Sequence, residues 1–429
     1  MNNTNIKFLW LIVLAAPGLL WAGERKTIAP LLTSHWHQQA PYNGLSPVVA
    51  DGQVKTVAGC VAIAASQIAY YWRRDNPEIT LRDTPVYPYG NAPVTYSVPS
   101  GTPYNWHLMR DSYDGSESQA ERDAVALLTY VVGTSAYLNF GSSTGGQISD
   151  IIYYSYYSQL HLLSEYATKA DYSQEQWEEL VYEELLLGRP VLYSGTKQGV
   201  GGHAVVIDGY DAQTGLFHFN FGWGGSQDGY YTVDDVTGMD GYCKSQHCVY
   251  QIKPMHRNIT ASMATDGQLS VGVSSKVQVT IANNSTLPVH GLRVYLTSDV
   301  EDIADYEPVA HSSEVVANDG KQQVVDISIK PSVAGSSLLL SVYTDDGDFL
   351  CSTPVEVSAF SGITGVSVGE RLKISTVTGG LRIEPYSPIA VSIYTVGGQC
   401  CWEQMVQESC VVSLDNGIYI VNGRKYVVK

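Results

Sequence analysis

Gly201-Gly202-His203-Ala204-Val205-Val206-Ile207-Asp208-Gly209-Tyr210, followed by Phe217-His218-Phe219-Asn220-Phe221-Gly222-Trp223-Gly224-Gly225, is the stretch on which the reading of this chain turns. Each half is a short apolar or alternating run bounded by glycine, the pattern of neighbouring antiparallel strands. A histidine opens the first strand directly after a glycine-rich loop, and an asparagine ends the second. Two such strands bring the start of one beside the end of the other. Asn220 is therefore expected to accept the imidazole N–H of His203 and fix its tautomer, leaving the second ring nitrogen for a thiol. Trp223 is placed to cover that bond from water.

The thiol lies far upstream, in Ala58-Gly59-Cys60-Val61-Ala62-Ile63-Ala64-Ala65-Ser66-Gln67-Ile68-Ala69-Tyr70-Tyr71-Trp72. Only Ser66 and Gln67 are polar after Cys60, so the run reads as a buried helix with the thiol at its N-terminus. Unpaired N–H groups and the helix dipole are expected to lower the thiol pKa there. Taken alone, Cys60 fits equally well as a small packing residue. His203 and Asn220 decide for catalysis. A third element, Trp36-His37-Gln38-Gln39-Ala40-Pro41-Tyr42-Asn43, offers a donor for the charge that thiolate attack builds on a carbonyl oxygen. Spacing alone leaves Gln38 and Gln39 as competing choices, with the backbone N–H of Cys60 as a second donor.

The surroundings of these motifs separate by texture into three regions. Residues 23–254 mix helices and strands, an α+β layout. Gln119 to Val132 has helical apolar spacing, and Ser173-Gln174-Glu175-Gln176 is a capping box before a helix that Gly188 and Pro190 end. Val191 to Tyr193, Ala204 to Asp208, Leu216 to Asn220 and Gly229 to Val233 then read as an antiparallel meander. Residues 255–360 lose helical periodicity and alternate like an immunoglobulin-like sandwich. Residues 361–429 form a further set of short strands, with a hairpin at Asn422-Gly423.

Composition sets the class. The 429 residues are 44% hydrophobic and 16% charged, with a net charge of −17 and no compensating basic stretch, which argues against a nucleic-acid partner. Residues 1–22 read as an export signal, with Lys7, an apolar run from Phe8 to Leu20, and Ala22 at the cleavage site. The product is expected outside the cytoplasm, secreted or on the cell surface. The seven cysteines make no disulfide framework; Cys243 and Cys248 either bridge a loop or stand free. Neither paired C-x-x-C nor H-x-x-x-H spacing occurs, so no metal and no cofactor are expected.

Residues 28–254 resemble the streptopain family of papain-like cysteine peptidases. The likeness is carried in order by Trp36-x-Gln-x-x-Pro-Tyr-Asn, Gly59-Cys60-Val61-Ala62 through Gln67-Ile68, Tyr104-Asn105-Trp106, Gly188-Arg189-Pro190-Val191 through Gly195, Gly201-Gly202-His203-Ala204 through Asp208-Gly209, and Asn220-x-Gly-Trp-Gly-Gly with Asp228-Gly229. The resemblance implies Cys60 as nucleophile, His203 as base and acid, Gln38 in the oxyanion hole and Asn220 as the histidine's orienter. It also implies Trp223 as a shielding indole, with Phe221, Gly202 and Ser194 along the substrate cleft. Phe221 stands where the family usually has tryptophan. The implied subsite preference is a hydrophobic residue two positions before the cut. Gly23 to His35 leave no room for the family's inhibitory pro-segment, so restraint is expected from a separate inhibitor or the C-terminal domains, unless the enzyme is exported active. The last region resembles the C-terminal sorting domain of type IX secretion cargo, through Gly379-Gly380-Leu381, Val391-Ser392-Ile393-Tyr394 and the Gly417-to-Gly423 segment.

Other residues read as structural. His218 sits inside an alternating strand, Asp208 caps or binds backbone, and the Tyr153–Tyr157 run packs a helix. Gly195 to Gly202 lacks a phosphate-loop ending and forms a wall of the cleft. The whole reads as a secreted, monomeric cysteine endopeptidase acting on proteins or peptides through a thioester. Cross-linking or deamidation by the same residues, and a non-catalytic surface binding protein, are the alternatives.

Overall fold

The computed structural model describes residues 25–429 apart from 50–53, 89–91, 298–305, 360–371, 387, 396–398 and 422–423. The export signal read at residues 1–22 and the Asn422-Gly423 turn lie outside the described residues. The chain divides into two units, Met1–Met255 and His256–Lys429.

In the first unit, helix α1 (Cys60–Tyr71) is buried from Val61 through Tyr70, as expected of a helix apolar on every side. Helix α2 (Gln119–Ser135) starts from Ser118, which forms a capping box with Glu121. Helix α3 (Gln174–Leu186) starts from the Ser173–Gln176 box foreseen in the sequence and ends at Gly188, whose φ of 70° is the left-handed turn that glycine supplies. Between α2 and α3, Ser149 to Leu160 is helical with wide π turns over Ile152–Tyr157. The tyrosine run there packs inward only through Tyr156, which is fully buried, while Tyr153, Tyr154 and Tyr157 are exposed.

Among the described residues of this unit are six antiparallel strands: β1 (Leu162–Thr168), β2 (Val191–Lys197), β3 (Gly201–Asp211), β4 (Leu216–Asn220), β5 (Gly229–Tyr231) and β6 (Lys244–Pro254), in the order β1-β6-β2-β3-β4-β5. The meander β2 to β5 is as the sequence suggests, and β6 inserts between β1 and β2. On one face, Tyr193, Val205, Ile207, Phe217 and Phe219 pack with Trp177, Val181 and Leu185 of α3. The other face carries α1. A bulge between Ile207 and Gly209 re-aims Asp208. Its carboxylate accepts the Leu32 N–H at 3.0 Å and pairs with His218 Nδ1 at 2.6 Å, while its carbonyl accepts the Leu31 N–H at 2.8 Å. These bonds lay the segment before Trp36 along the sheet.

In the second unit, the described residues between Ile259 and Ser358 include eight strands, in a five-stranded and a three-stranded sheet. Alternate residues of both, among them Val277, Val279, Ile281, Leu292, Val294, Val325, Ile327, Leu340 and Val342, share one core. Among the described residues from Leu372 to Val428, seven strands form a three- and a four-stranded sheet with a separate core. Among the described residues no helix is long and apolar enough to cross a membrane.

Burial opposes a charge on His218, but the bond and charge of Asp208 outweigh it and raise its pKa above 6.5. A pKa raised by folding stabilises the fold below its unfolded value, and that contribution is lost as pH climbs through the folded value. The His218 contribution to the unfolding free energy is therefore expected to decline as pH rises above 6.5. Urea unfolding across this range should show that decline in the native chain and its absence in His218→Gln.

Candidate active site

Cys60 is the first residue of α1, and its thiol is half-buried. The preceding Gly59 has φ 94° and donates no side-chain cap, and a Cβ there would lie 2.8 Å from Thr144 Cγ2. Glycine is thus required both for the backbone turn and for the close approach of the 139–146 segment. The backbone N–H groups of Ala204, the neighbour of His203 on β3, of Val61 and of Cys60 itself favour the charged sulfur electrostatically. Burial outweighs them and pushes the thiol pKa up. The lowered pKa expected from the helix terminus alone is corrected accordingly: the α1 N-terminus is enclosed by β3 and the 139–146 segment, and desolvation dominates.

Gln38 is held close by by its backbone, whose carbonyl accepts the Ala58 N–H at 2.9 Å. One residue inside α1 secures that arrangement. Gln67, fully buried, accepts Ser34 Oγ at 3.0 Å and the Trp36 N–H at 3.2 Å, and donates to Asn220 Oδ1 at 3.0 Å. Its signal in the sequence was a carboxamide inside an otherwise apolar helix.

His203 is 6% exposed at the start of β3. Its Nε2 lies 3.0 Å from the carbonyl of Phe221, so Nε2 carries the hydrogen and Nδ1 is the basic nitrogen. Trp223 stacks on the ring with centroids 4.4 Å apart, and Phe221 and Tyr242 lie at 5.8 and 5.5 Å. This aromatic enclosure pulls the His203 pKa down to about 4, against the opposing effect of the Phe221 carbonyl.

Two expectations change. Asn220 pairs with Val206 across β3 and β4, and its carboxamide bonds Gln67, the Ser34 carbonyl and the Gly222 N–H. Side chains alternate between faces of a strand, so Asn220 points to the α1 side while His203 shares the face of Val205 and Ile207. The orienting bond comes from the next residue's carbonyl instead. Phe221, expected along the cleft, is fully buried, because it continues the inward series Phe217, Phe219 and packs against Tyr231.

Cys60, His203, Gln38, Trp223, Ser194 and Gly202 line one cleft of about 640 Å³. Its floor is formed by Gly202 and Ala204 of β3, Ser194 and Thr196 of β2, and Ser245 and His247 of β6; Ser143 to Ile148 form the facing wall. No Asp, Glu, Lys or Arg is among these lining residues. Among the described residues no group of three or more His, Cys, Asp or Glu side chains could hold a metal, and Cys243 and Cys248 are separate buried thiols.

Residues 36–231 match the family model of the peptidase C10 family. Streptopain from Streptococcus pyogenes is 32% identical over 267 residues, covering 54% of this chain and 66% of that protein. The thiol protease/hemagglutinin PrtT of Porphyromonas gingivalis is 30% identical over 247 residues, covering 53% of this chain and 28% of PrtT. The structure of active wild-type interpain A cysteine protease from Prevotella intermedia is 32% identical, with a TM-score of 0.46, covering 52% of this chain and 94% of that one.

Replacing Gln67 by leucine would leave the Trp36 N–H and the Ser34 hydroxyl without the buried acceptor they share. The expected loss is at least about 1–3 kcal/mol of unfolding free energy, read by urea denaturation of the Gln67→Leu variant. An unchanged midpoint would contradict the role given to this residue.

Proposed function

This chain belongs to the peptidase C10 family, and we propose that it is a cysteine endopeptidase in which Cys60 attacks peptide carbonyls and His203 moves the proton. The observation that carries this reading is that the side chains of Cys60 and His203 line one cleft, the thiol at the start of α1 and the imidazole at the start of β3. A raised thiol pKa and a lowered imidazole pKa describe a resting pair that is neutral on both sides. Nδ1 of His203 takes the thiol proton as sulfur bonds to the carbonyl carbon. The oxyanion is met by the Cys60 N–H and the Gln38 side chain. The Nδ1 proton then passes to the leaving amine, the C–N bond breaks, and a thioester remains. Water, deprotonated at the same nitrogen, hydrolyses it. The Phe221 carbonyl keeps the tautomer, and Trp223 shields the ring.

The substrates in this proposal are proteins or peptides. The chain spans 66% of the length of the streptopain it matches, and the activity of the full relative is carried here as part of the proposal. Export by residues 1–22, an immunoglobulin-like identity for the sheets between Ile259 and Ser358, and a sorting role for the final strands complete it. Each rests on the sequence patterns above.

Cys60→Ala is expected to keep the fold and to lose protein hydrolysis by at least about a thousandfold. Mass spectrometry of a digested protein separates the alternatives: new termini indicate hydrolysis, whereas cross-links or deamidated glutamines indicate the other acyl-transfer outcomes. Cleavage retained by Cys60→Ala would remove the assignment. The acid limb of kcat/KM should lie near pH 4, where His203 gains its proton. Opening the ring to water in Trp223→Ala should move that limb upward toward 6.5.

A further inference from the structure

One imidazole in the cleft takes no part in this chemistry. His247 lies on β6 and lines the cleft floor. Its Nδ1 is 2.8 Å from the Tyr166 hydroxyl and 3.2 Å from Thr168 Oγ1, both on β1, the strand flanking β6 away from the catalytic residues. The Tyr166 ring also stacks on the imidazole, with centroids 5.6 Å apart and planes 16° from parallel. Partial burial lowers the His247 pKa, so the ring is neutral near pH 7. The phenol, a stronger acid than a neutral imidazole, donates to Nδ1; the hydrogen then resides on Nε2, the ring nitrogen not engaged by β1.

Strand register fixes how far this donor is from the reacting sulfur. His247 pairs with Ser194, and Ser194 pairs with Ala204, the neighbour of His203; the Ala204 N–H favours the charged form of the Cys60 sulfur. The three side chains share one row on one face. Two strand spacings put His247 roughly 10 Å from Ala204. An extended substrate advances about 3.3 Å per residue and alternates its side chains. Where the chain before the cleaved bond crosses β2 toward β6, its second residue directs a side chain of four or five bonds to this row. Around it are the hydroxyls of Ser194, Thr196 and Ser245, with no charged residue among the lining.

We propose that His247 is a specificity-determining residue whose Nε2–H selects substrates with a hydrogen-bond-accepting side chain, glutamine or glutamate, at the second position before the cut. The inference rests on the cysteine peptidase reading and departs from the hydrophobic preference that the family resemblance implies. Ser194 and Thr196 hydroxyls line the remainder of this subsite.

Matched peptides that differ only by Met, Gln or Glu at that position test it, since Met and Gln have nearly the same shape. In the native chain kcat/KM for Gln is expected to exceed that for Met by about three- to tenfold. His247→Leu should reverse the order. Tyr166→Phe, which removes the phenol that fixes the tautomer without entering the cleft, should narrow the ratio. A native preference for Met, or a Gln-to-Met ratio that is the same in His247→Leu, overturns the proposal while hydrolysis of the Met peptide still upholds the peptidase. If the native chain cleaves none of the three, both fall together. A Glu peptide favoured over Gln would assign a carboxylate as the selected group; Gln favoured over Glu would assign the carboxamide.

Discussion

The carboxamide of Gln67 is the joint on which the catalytic unit depends. It sits on the inner helix α1 and bonds at once to the segment carrying Gln38 and to the end of β4. A buried amide whose partners are all present is stabilising, and one that loses them is costly. The helix that offers Cys60, the strand end that offers the Phe221 carbonyl, and the loop that offers Gln38 come from distant parts of the chain. Apolar packing alone would let them slide by fractions of an ångström. Directional hydrogen bonds at their common centre remove that freedom, which a site built on bond-making distances requires.

Around this joint the site is electrically quiet. His203 is enclosed by Trp223, Phe221 and Tyr242, and the Cys60 sulfur is bounded by backbone N–H groups. Both environments disfavour isolated charge. In the proposed mechanism a neutral thiol and a neutral base hold their charge separation in reserve until a carbonyl arrives, when the N–H donors of the α1 terminus face the new oxyanion. The bulged β3 serves both ends: its start carries His203, and its Asp208 fastens the segment leading to Trp36.

Much of this was legible in the sequence, because it was local. Gly59 before Cys60, the Ser173–Gln176 box and the glycine-bounded strands declare themselves within a few residues. What was not legible depended on register. Asn220 and Phe221 are adjacent, and which of them meets His203 is decided by a pairing between β3 and β4 that includes a bulge. A single step exchanges the faces. The sequence pointed to the right neighbourhood and to the wrong member of the pair. His247 was invisible for a related reason: nothing near it in sequence reveals that β6 inserts beside β2, which alone brings it to the cleft. The tyrosine run was legible only in part: Tyr156 is buried as helix packing requires, while Tyr153, Tyr154 and Tyr157 are exposed.

The uncharged cleft has a consequence at a longer range. On the proposed reading, a polypeptide substrate meets the field of a chain with a net charge of −17 well before it meets the cleft residues. Capture and choice are therefore governed by different forces. Cationic or neutral stretches of a substrate are drawn or admitted first, with a rate that ionic strength will tune. Discrimination between side chains begins only after contact, through short-range hydrogen bonds that salt scarcely alters.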